Sequence, residues 1–350
     1  MTGAEAREPR YGQLESVVTA RHGRWLVLTH DNPDPDALAS AVLLARLLRE
    51  AFGREATAAF GGLIGRAENR EMVRSLRLRV SDVRRLAMER FHCFALVDTQ
   101  PGTGNNPLPP GTKPDLVFDH HPLRRGTRAT AFVDVRPELG ATVTILAGYL
   151  AAAGVSLSAA EATAVVYAIR SETQDFGREF SPRDRATYDA FLGRANKRVL
   201  GRIQKAPLPV SYFRCLHQAL ENVQSVGTLV VSHLEEVEQP DIVPEVADLL
   251  LRMKGKSWAL CTGRFEGRIY LSMRTSNPRG EAGRLMRTLV GRGGRGGGHG
   301  MTAGGWVPVN AGSADPRAVQ EQLGRSLAAH LRKDPDKLVP LSLDPTRGCV

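Results

Sequence analysis

The sequence predicts an α/β protein: a parallel sheet with flanking helices, followed by a smaller α/β domain. Three observations predict it. Short apolar runs alternate with helical stretches as far as Val135. The composition then changes between Gly193 and Gln224, where basic residues give way to Pro207 and Pro209. Three of the apolar runs end in clusters of Asp and His, as open α/β sheets do where ligands bind.

Each element follows from its residues. Trp25–Thr29 (WLVLT) is a short apolar run between polar segments and reads as a buried strand. Residues 37–51 are helical and apolar on most faces. A strand at 56–60 and a helix at 67–76 follow. Residues 94–97 (FALV) and 116–118 (LVF) are again short apolar runs, and 129–135 completes the set. Strands separated by helices imply a parallel, helix-covered sheet. From Gly140 to about Arg194 the pattern is helical. The longest uncharged stretch, Leu139 to Ala160, contains Gly140, Thr142, Thr144, Gly154, Ser156 and Ser158, which argues against a membrane span. Ser158-x-x-Glu161 reads as a capping box, so two core helices separated by a turn at Gly154 are expected.

After the connection, residues 228–233, 258–265 and 268–274 read as strands, the last two joined by a hairpin turn at Glu266-Gly267. Residues 281–290 read as a helix, Gly291–Gly300 as a glycine-rich loop, and the remainder as a helix and a Pro-broken tail. The expected domains are 1–195 and 228–350, with 196–227 connecting them. There is no internal repeat.

The chain has 350 residues, 42% apolar and 24% charged, which excludes a mainly disordered, collagen-like or disulfide-scaffold protein. Lys plus Arg exceed Asp plus Glu by 47 to 37, a formal net charge of +10. That balance suits nucleic acid or phosphorylated ligands, and equally an Arg-rich solvated surface. The cysteines, Cys93, Cys215, Cys261 and Cys349, form no C-x-x-C pair, so a cysteine zinc site or redox motif is not expected. Cys93 and Cys261 lie in apolar runs, as buried thiols do. The start carries no apolar signal region, so a cytoplasmic location without membrane attachment is expected.

The chemistry-bearing residues fall in three clusters. His30-Asp31-Asn32-Pro33-Asp34-Pro35-Asp36 follows the first strand and precedes a helix. Its carboxylates would repel one another without a cation, and a mixed His/carboxylate set suits Mn²⁺ or a similar ion. Capping of the next helix by Asp34 or Asp36 is the plainer alternative. Asp98 ends the FALV run and Asp119-His120-His121 ends the LVF run. One Asp at a strand end is usually a cap; three such clusters at three strand ends should converge on one crevice.

Residues 30–36, Asp98 and the literal Asp119-His120-His121 resemble the first three motifs of the DHH phosphoesterase family. Gly296-Gly297-Gly298-His299, followed by Met301-Thr302-Ala303-Gly304-Gly305, resembles the substrate loop of that family's DHHA1 domain. The resemblance covers roughly residues 20–305 and is nearest the branch of nanoRNases and 3′-phosphoadenosine-5′-phosphate phosphatases. It implies hydrolysis of phosphodiesters or phosphomonoesters by two divalent ions, commonly Mn²⁺, with Mg²⁺ or Co²⁺ as substitutes, in a cleft between the two domains. It further implies His30 and Asp34 as ligands of one ion, Asp36 and His120 of the second, and Asp98 bridging both. His121 is expected near the scissile phosphate, with Asp119 orienting a histidine.

The fourth motif departs from the family pattern of an Asp-Thr pair. Here the chain reads Ser171-Glu172-Thr173-Gln174-Asp175, with Glu172 at the ligand position and Asp175 as another carboxylate. Gly291-x-Gly293-x-x-Gly296 matches a dinucleotide fingerprint only as a string, because it follows a helix rather than a strand. Arg274, ending a strand before Ser276, resembles the family's substrate-phosphate arginine. Gly297, Gly298 and His299 complete the implied substrate contacts. The expected substrate is a nucleotide or short single-stranded oligonucleotide, in a protein that can pair as a homodimer. Two other readings stay open: a nucleotide-binding regulatory protein slowed by Glu172, and a RecJ-like single-strand exonuclease.

Overall fold

The computed structural model describes residues 8–309 and 315–341 and divides into two compact units, which meet in sequence at Ala206 and Pro207. The first unit runs α1 (Tyr11–Thr19), β1 (Trp25–Leu28), α2 (Pro35–Glu50), β2 (Ala56–Phe60), α3 (Ala67–Leu76), β3 (Val80–Asp82), β4 (Cys93–Val97), β5 (Leu116–Asp119), β6 (Phe132–Val135), α4 (Thr142–Ala152), α5 (Ala159–Glu172), α6 (Pro182–Leu192) and α7 (Lys197–Gln204). All six strands are parallel, in the order β3-β2-β1-β4-β5-β6.

The sheet's two faces explain why β1 reads as unbroken apolar sequence. Trp25 and Val27 point into the large core beneath the helices, while Leu26 and Leu28 point into a smaller cluster roofed by Leu86, Met88, Phe91 and Leu108. A strand buried on both faces loses the polar alternation of a half-exposed one. α2 is apolar on most sides because it packs against the sheet and also against α4 and α5. Asp34 caps α2, its Oδ1 accepting from the Ala37 amide at 2.9 Å, and Pro35 occupies the first turn, where no amide hydrogen is needed. The uncharged stretch folds as two helices: α4 stops at the turn around Gly154, and the Ser158/Glu161 capping box starts α5. Cys93 and Cys261 are buried thiols.

The expected connecting segment, 196–227, is largely helical. α7 packs on α3 and α5 of the first unit. The second unit runs α8 (Val210–Glu221), β7 (Gln224–Val226), β8 (Leu229–Glu236), α9 (Ile242–Leu251), β9 (Trp258–Phe265), β10 (Arg268–Thr275), α10 (Ala282–Val290), β11 (Arg295–His299), β12 (Thr302–Pro308), α11 (Pro316–His330) and β13 (Val339–Pro340). Its seven strands form one mixed sheet, ordered β11-β12-β10-β9-β8-β7-β13, in which β8 and β9 alone run parallel. α10 and α11 cover one face and α8 and α9 the other.

The glycine-rich segment is not all loop, because Arg295–His299 pairs with β12 as the edge strand. Gly296 and Gly305 face each other across that pair, and a Cβ at Gly296 would press on Met286 of α10 at 2.9 Å. Glycine thus lets this strand lie close against the helix, where any side chain would push it away. Cys349 lies outside the described residues, as does the side chain of His299.

Candidate metal centre

The sheet order reverses direction between β1 and β4, and the site forms at the carboxyl ends of β1, β4 and β5. A crevice opens at such a switch point because the connections leave to opposite sides. β1 delivers His30, β4 delivers Asp98, and β5 delivers Asp119-His120-His121.

Asp98 is the centre of the group and is almost wholly buried. Its backbone sits at φ 57°, a left-handed conformation that a non-glycine residue rarely takes. Its amide donates to the Phe118 carbonyl of β5 at 2.9 Å, which holds that conformation in place. Strain of this kind at a strand end is kept where the side chain must point somewhere specific. Here it directs the carboxylate between two imidazoles: Oδ2 lies 3.5 Å from His30 Nε2, and Oδ1 lies 3.5 Å from His120 Nε2.

Both imidazoles have their other nitrogen occupied. His30 Nδ1 lies 2.9 Å from the Asp31 carbonyl, and His120 Nδ1 lies 3.2 Å from the Leu139 carbonyl. A carbonyl only accepts, so Nδ1 carries a proton in each ring, and whenever the ring is neutral its lone pair sits on Nε2, facing Asp98. His120 Nε2 is buried and has no hydrogen-bond partner. A buried nitrogen lone pair aimed at carboxylates, with nothing to accept from, is a ligand set that fits a divalent cation. Two overlapping groups present ligand atoms close enough to share an ion: His30, Asp34 and Asp98, and Asp98, His120 and His121.

Asp34 serves two purposes. Oδ1 caps α2, while Oδ2 lies 3.7 Å from His30 Nε2. Burial favours its neutral form, but His30 and the Ala37 amide outweigh that and hold the carboxyl well below the usual range. Burial likewise opposes charge on His30, yet Asp34 and Asp98 raise its pKa well above the ordinary imidazole value. Asp36 is fully buried and accepts the first amides of α4, from Thr142 at 2.7 Å and Val143 at 2.8 Å. Burial, with the charges of Asp98, Asp34 and Glu172, pushes it well above the carboxylate range. Asp34 thus caps α2 and also faces His30, whereas Asp36 lies within α2, binds the start of α4 instead, and is in neither ligand group. Asp31 is also outside both ligand groups, its Oδ1 lying against Gly61.

The fourth-motif residues separate cleanly. Glu172 ends α5 with Oε1 4.0 Å from His120 Nε2. Burial and the charges of Asp34 and Asp98 push its carboxyl up to about 8. Asp175 is exposed and pairs with Arg170, because three successive left-handed residues, Gln174, Asp175 and Phe176, swing the chain away.

His121 is held by Asp119, whose Oδ1 accepts from its Nδ1 at 2.8 Å and from its amide at 3.2 Å. Nδ1 is also 3.7 Å from Asp98, but the shorter contact commits it to Asp119. Burial resists the charge, while Asp119 and Asp98 outweigh it and raise His121 to about 9. Asp119 is in turn fixed by Gln100. That buried amide donates to Asp119 Oδ2 at 2.6 Å and to the Pro122 carbonyl at 3.1 Å, and accepts from the Arg124 amide at 2.8 Å and the Thr127 hydroxyl at 2.7 Å. Gln100 ties the loop after β4 to the loop after β5, and the sequence gives no signal of that role.

A second support also escaped the sequence reading. Buried Asp184 accepts from the Gly140 amide at 2.7 Å and the Thr144 hydroxyl at 2.6 Å. It fixes the turn whose Leu139 carbonyl orients His120. A Cβ at Gly140 would meet Thr173 and the Glu179 backbone below 3.0 Å, so only glycine fits that turn. The available signal was Ser181-x-x-Asp184, a capping box that α6 forms.

In the second unit, Arg274 is the last residue but one of β10, with Nε 2.5 Å from Asp248 of α9 and Nη1 2.8 Å from the Ser272 hydroxyl. Gly297 and Gly298 lie on β11, opposite Gly304 and Ala303.

Comparison with known proteins agrees with this geometry. Residues 24–169 match the model of the DHH family, N-terminal domain, and residues 226–323 match that of the DHHA1 domain. An uncharacterised protein of Methanocaldococcus jannaschii is 31% identical over 326 residues, which are 91% of this chain and 66% of that protein. The chain thus spans just under two thirds of that relative's length. An exopolyphosphatase-related protein from Bacteroides fragilis superposes with a TM-score of 0.72 at 14% identity, covering 95% of this chain and 100% of the other, and shares its fold. Among the described residues no helix is long and apolar enough to cross a membrane. With both domain models matched in order along one chain, and the acidic and histidine motifs gathered at one switch point, the chain belongs to the DHH family with a DHHA1 domain.

Proposed function

We propose that the chain hydrolyses phosphate esters of short oligonucleotides, nucleoside 3′,5′-bisphosphates or linear and cyclic dinucleotides, with two divalent ions, Mn²⁺ foremost. The observation that carries this reading is the placement of one buried carboxylate, Asp98, between the Nε2 atoms of His30 and His120. His30, Asp34 and Asp98 would hold one ion, and Asp98, His120, Asp36 and Glu172 the other. Such a pair of ions lowers the pKa of a bound water and offsets charge on the phosphate.

The chain's own groups supply the rest. The Asp31 and Leu139 carbonyls fix the two ligand imidazoles in one tautomer. His121, held through Nδ1 by Asp119, would be oriented to donate a hydrogen bond to the ester phosphate. Arg274, Gly297, Gly298 and His299 would bind the terminal nucleotide of the substrate.

The regulatory reading depends on Glu172 failing to reach the site. Its carboxylate stands 4.0 Å from His120, which favours the catalytic reading. The test is a panel of phosphate esters: a dinucleotide, a trinucleotide, a nucleoside 3′,5′-bisphosphate and a cyclic dinucleotide, each with and without Mn²⁺. Release of mononucleotide or phosphate only with metal is expected. Tight nucleotide binding without turnover of any ester would support the regulatory reading instead.

A further inference from the structure

The chain has three tryptophans, and two are core residues: Trp25 in the first unit and Trp258 in the second. Trp306, on β12, belongs to none of the hydrophobic clusters and stays partly exposed. Alternation along β10 and β12 sends Ile269, Leu271, Met273 and Ala303 into the core under α10 and α11. Trp306 therefore lies on the opposite face, where α9 packs on β9 and β10.

Its neighbours on that face are specific. The register sets Trp306 between Tyr270 of β10 and Arg295 of β11. The Arg268 guanidinium lies 4.2 Å from the centre of the indole. Tyr270 leans on the core beneath α9, 6.1 Å from Phe265, whereas Arg268 and Arg295 are exposed. The acidic residue next along the chain, Glu266, stands exposed at the β9–β10 turn. A surface indole with one guanidinium over its ring and a second arginine opposite it on the next strand suits a nucleobase with its phosphates. The ring stacks on any base, and the cations offset the backbone charge.

The position along the strand matters as well. Trp306 lies four residues from Thr302 on the same face, roughly 13 Å along β12. Thr302 pairs with His299, at the end of the sheet that the phosphoesterase reading gives to the terminal nucleotide. We propose that Trp306, with Arg268 and Arg295 beside it, stacks a base of a short single-stranded oligonucleotide at least one nucleotide removed from that terminal one. The inference rests on the proposed function, and it selects oligonucleotides over mononucleotides as the preferred substrates.

The test uses the full chain with Mn²⁺, 5′-AMP, and a phosphorothioate-linked adenosine trinucleotide that resists turnover. Affinities are read by calorimetric titration, and tryptophan emission reports separately on Trp306, because the other two indoles are buried. The trinucleotide is expected to quench emission and to bind about 5- to 100-fold more tightly than 5′-AMP. Trp306→Ala should lose the quenching and bring the trinucleotide near the affinity of 5′-AMP, while Trp306→Phe keeps most of the gain. A wild-type protein that binds both ligands equally, or a folded Trp306→Ala that binds the trinucleotide as wild type does, overturns the platform and leaves the phosphoesterase reading intact. A wild-type protein that neither binds nor hydrolyses any nucleotide overturns both.

Discussion

Stripped of metal, the site gathers Asp34, Asp36, Asp98 and Glu172 in one crevice, and that crowding should make the metal-free protein less stable as pH rises. Glu172 moves from 4.5 to about 8 on folding, through burial and the charges of Asp34 and Asp98. An acid raised in the folded state binds more protons folded than unfolded, so stability falls between pH 4.5 and 8. At about 1.4 kcal/mol per pKa unit the ceiling is roughly 5 kcal/mol. Water reaching the partly exposed carboxyl reduces this to about 1–3 kcal/mol. For a unit of some 200 residues that is on the order of 5 °C in melting temperature. His30 and His121 act in the same direction at higher pH: their raised pKa values stabilise fully below 6.5, and that contribution is lost as pH rises, for His121 through about 9. The assay is thermal unfolding in EDTA from pH 5 to 9, for wild type and Glu172→Gln. The variant should be the more stable at pH 8, should lose the part of the slope below that pH, and should gain less from added Mn²⁺. Parallel pH profiles for the two proteins would refute the placement of Glu172 among the carboxylates.

Three further outcomes are expected. Gln100→Ala, which frees Asp119 without touching a ligand, should lower kcat about 10- to 100-fold while bound metal stays at the wild-type level; loss of metal in that variant would contradict a purely positioning role. Glu172→Ala should lose the second ion and most activity, whereas Asp175→Asn should be silent in both, since Asp175 is exposed beside Arg170; elemental analysis with rate measurements compares them. His299→Ala should raise KM with little change in kcat, and an unchanged KM with a collapsed kcat would move that residue into the chemistry.

The strand ends were readable because a buried parallel strand announces itself as an apolar run, and a charged cluster at its end has few structural uses. His30, Asp98 and His120 come together because β1, β4 and β5 end at one switch point, as their places at strand ends predict, whereas Glu172, at the end of α5, is implied only by the family resemblance. What the sequence did not reveal depends on partners distant in the chain. Gln100 is an ordinary amide until Asp119, Arg124 and Thr127 surround it. Asp184 shows as a cap, and its grip on Gly140 needs the fold. β11 reads as a flexible loop because five residues containing three consecutive glycines carry no strand pattern; pairing with β12 and contact with α10 make it a strand. α9 went unread although Pro244 is no obstacle in a first helical turn.

Asp98 is the carboxylate proposed to be shared by two ions. Its most direct test is the number of divalent ions bound per chain, by calorimetric titration of metal-free protein with Mn²⁺, in wild type and Asp98→Ala. Two ions in the wild type and none held tightly in the variant are predicted. Two ions bound by Asp98→Ala with wild-type affinity would contradict the bridging centre, and with it the two-metal reading of this site.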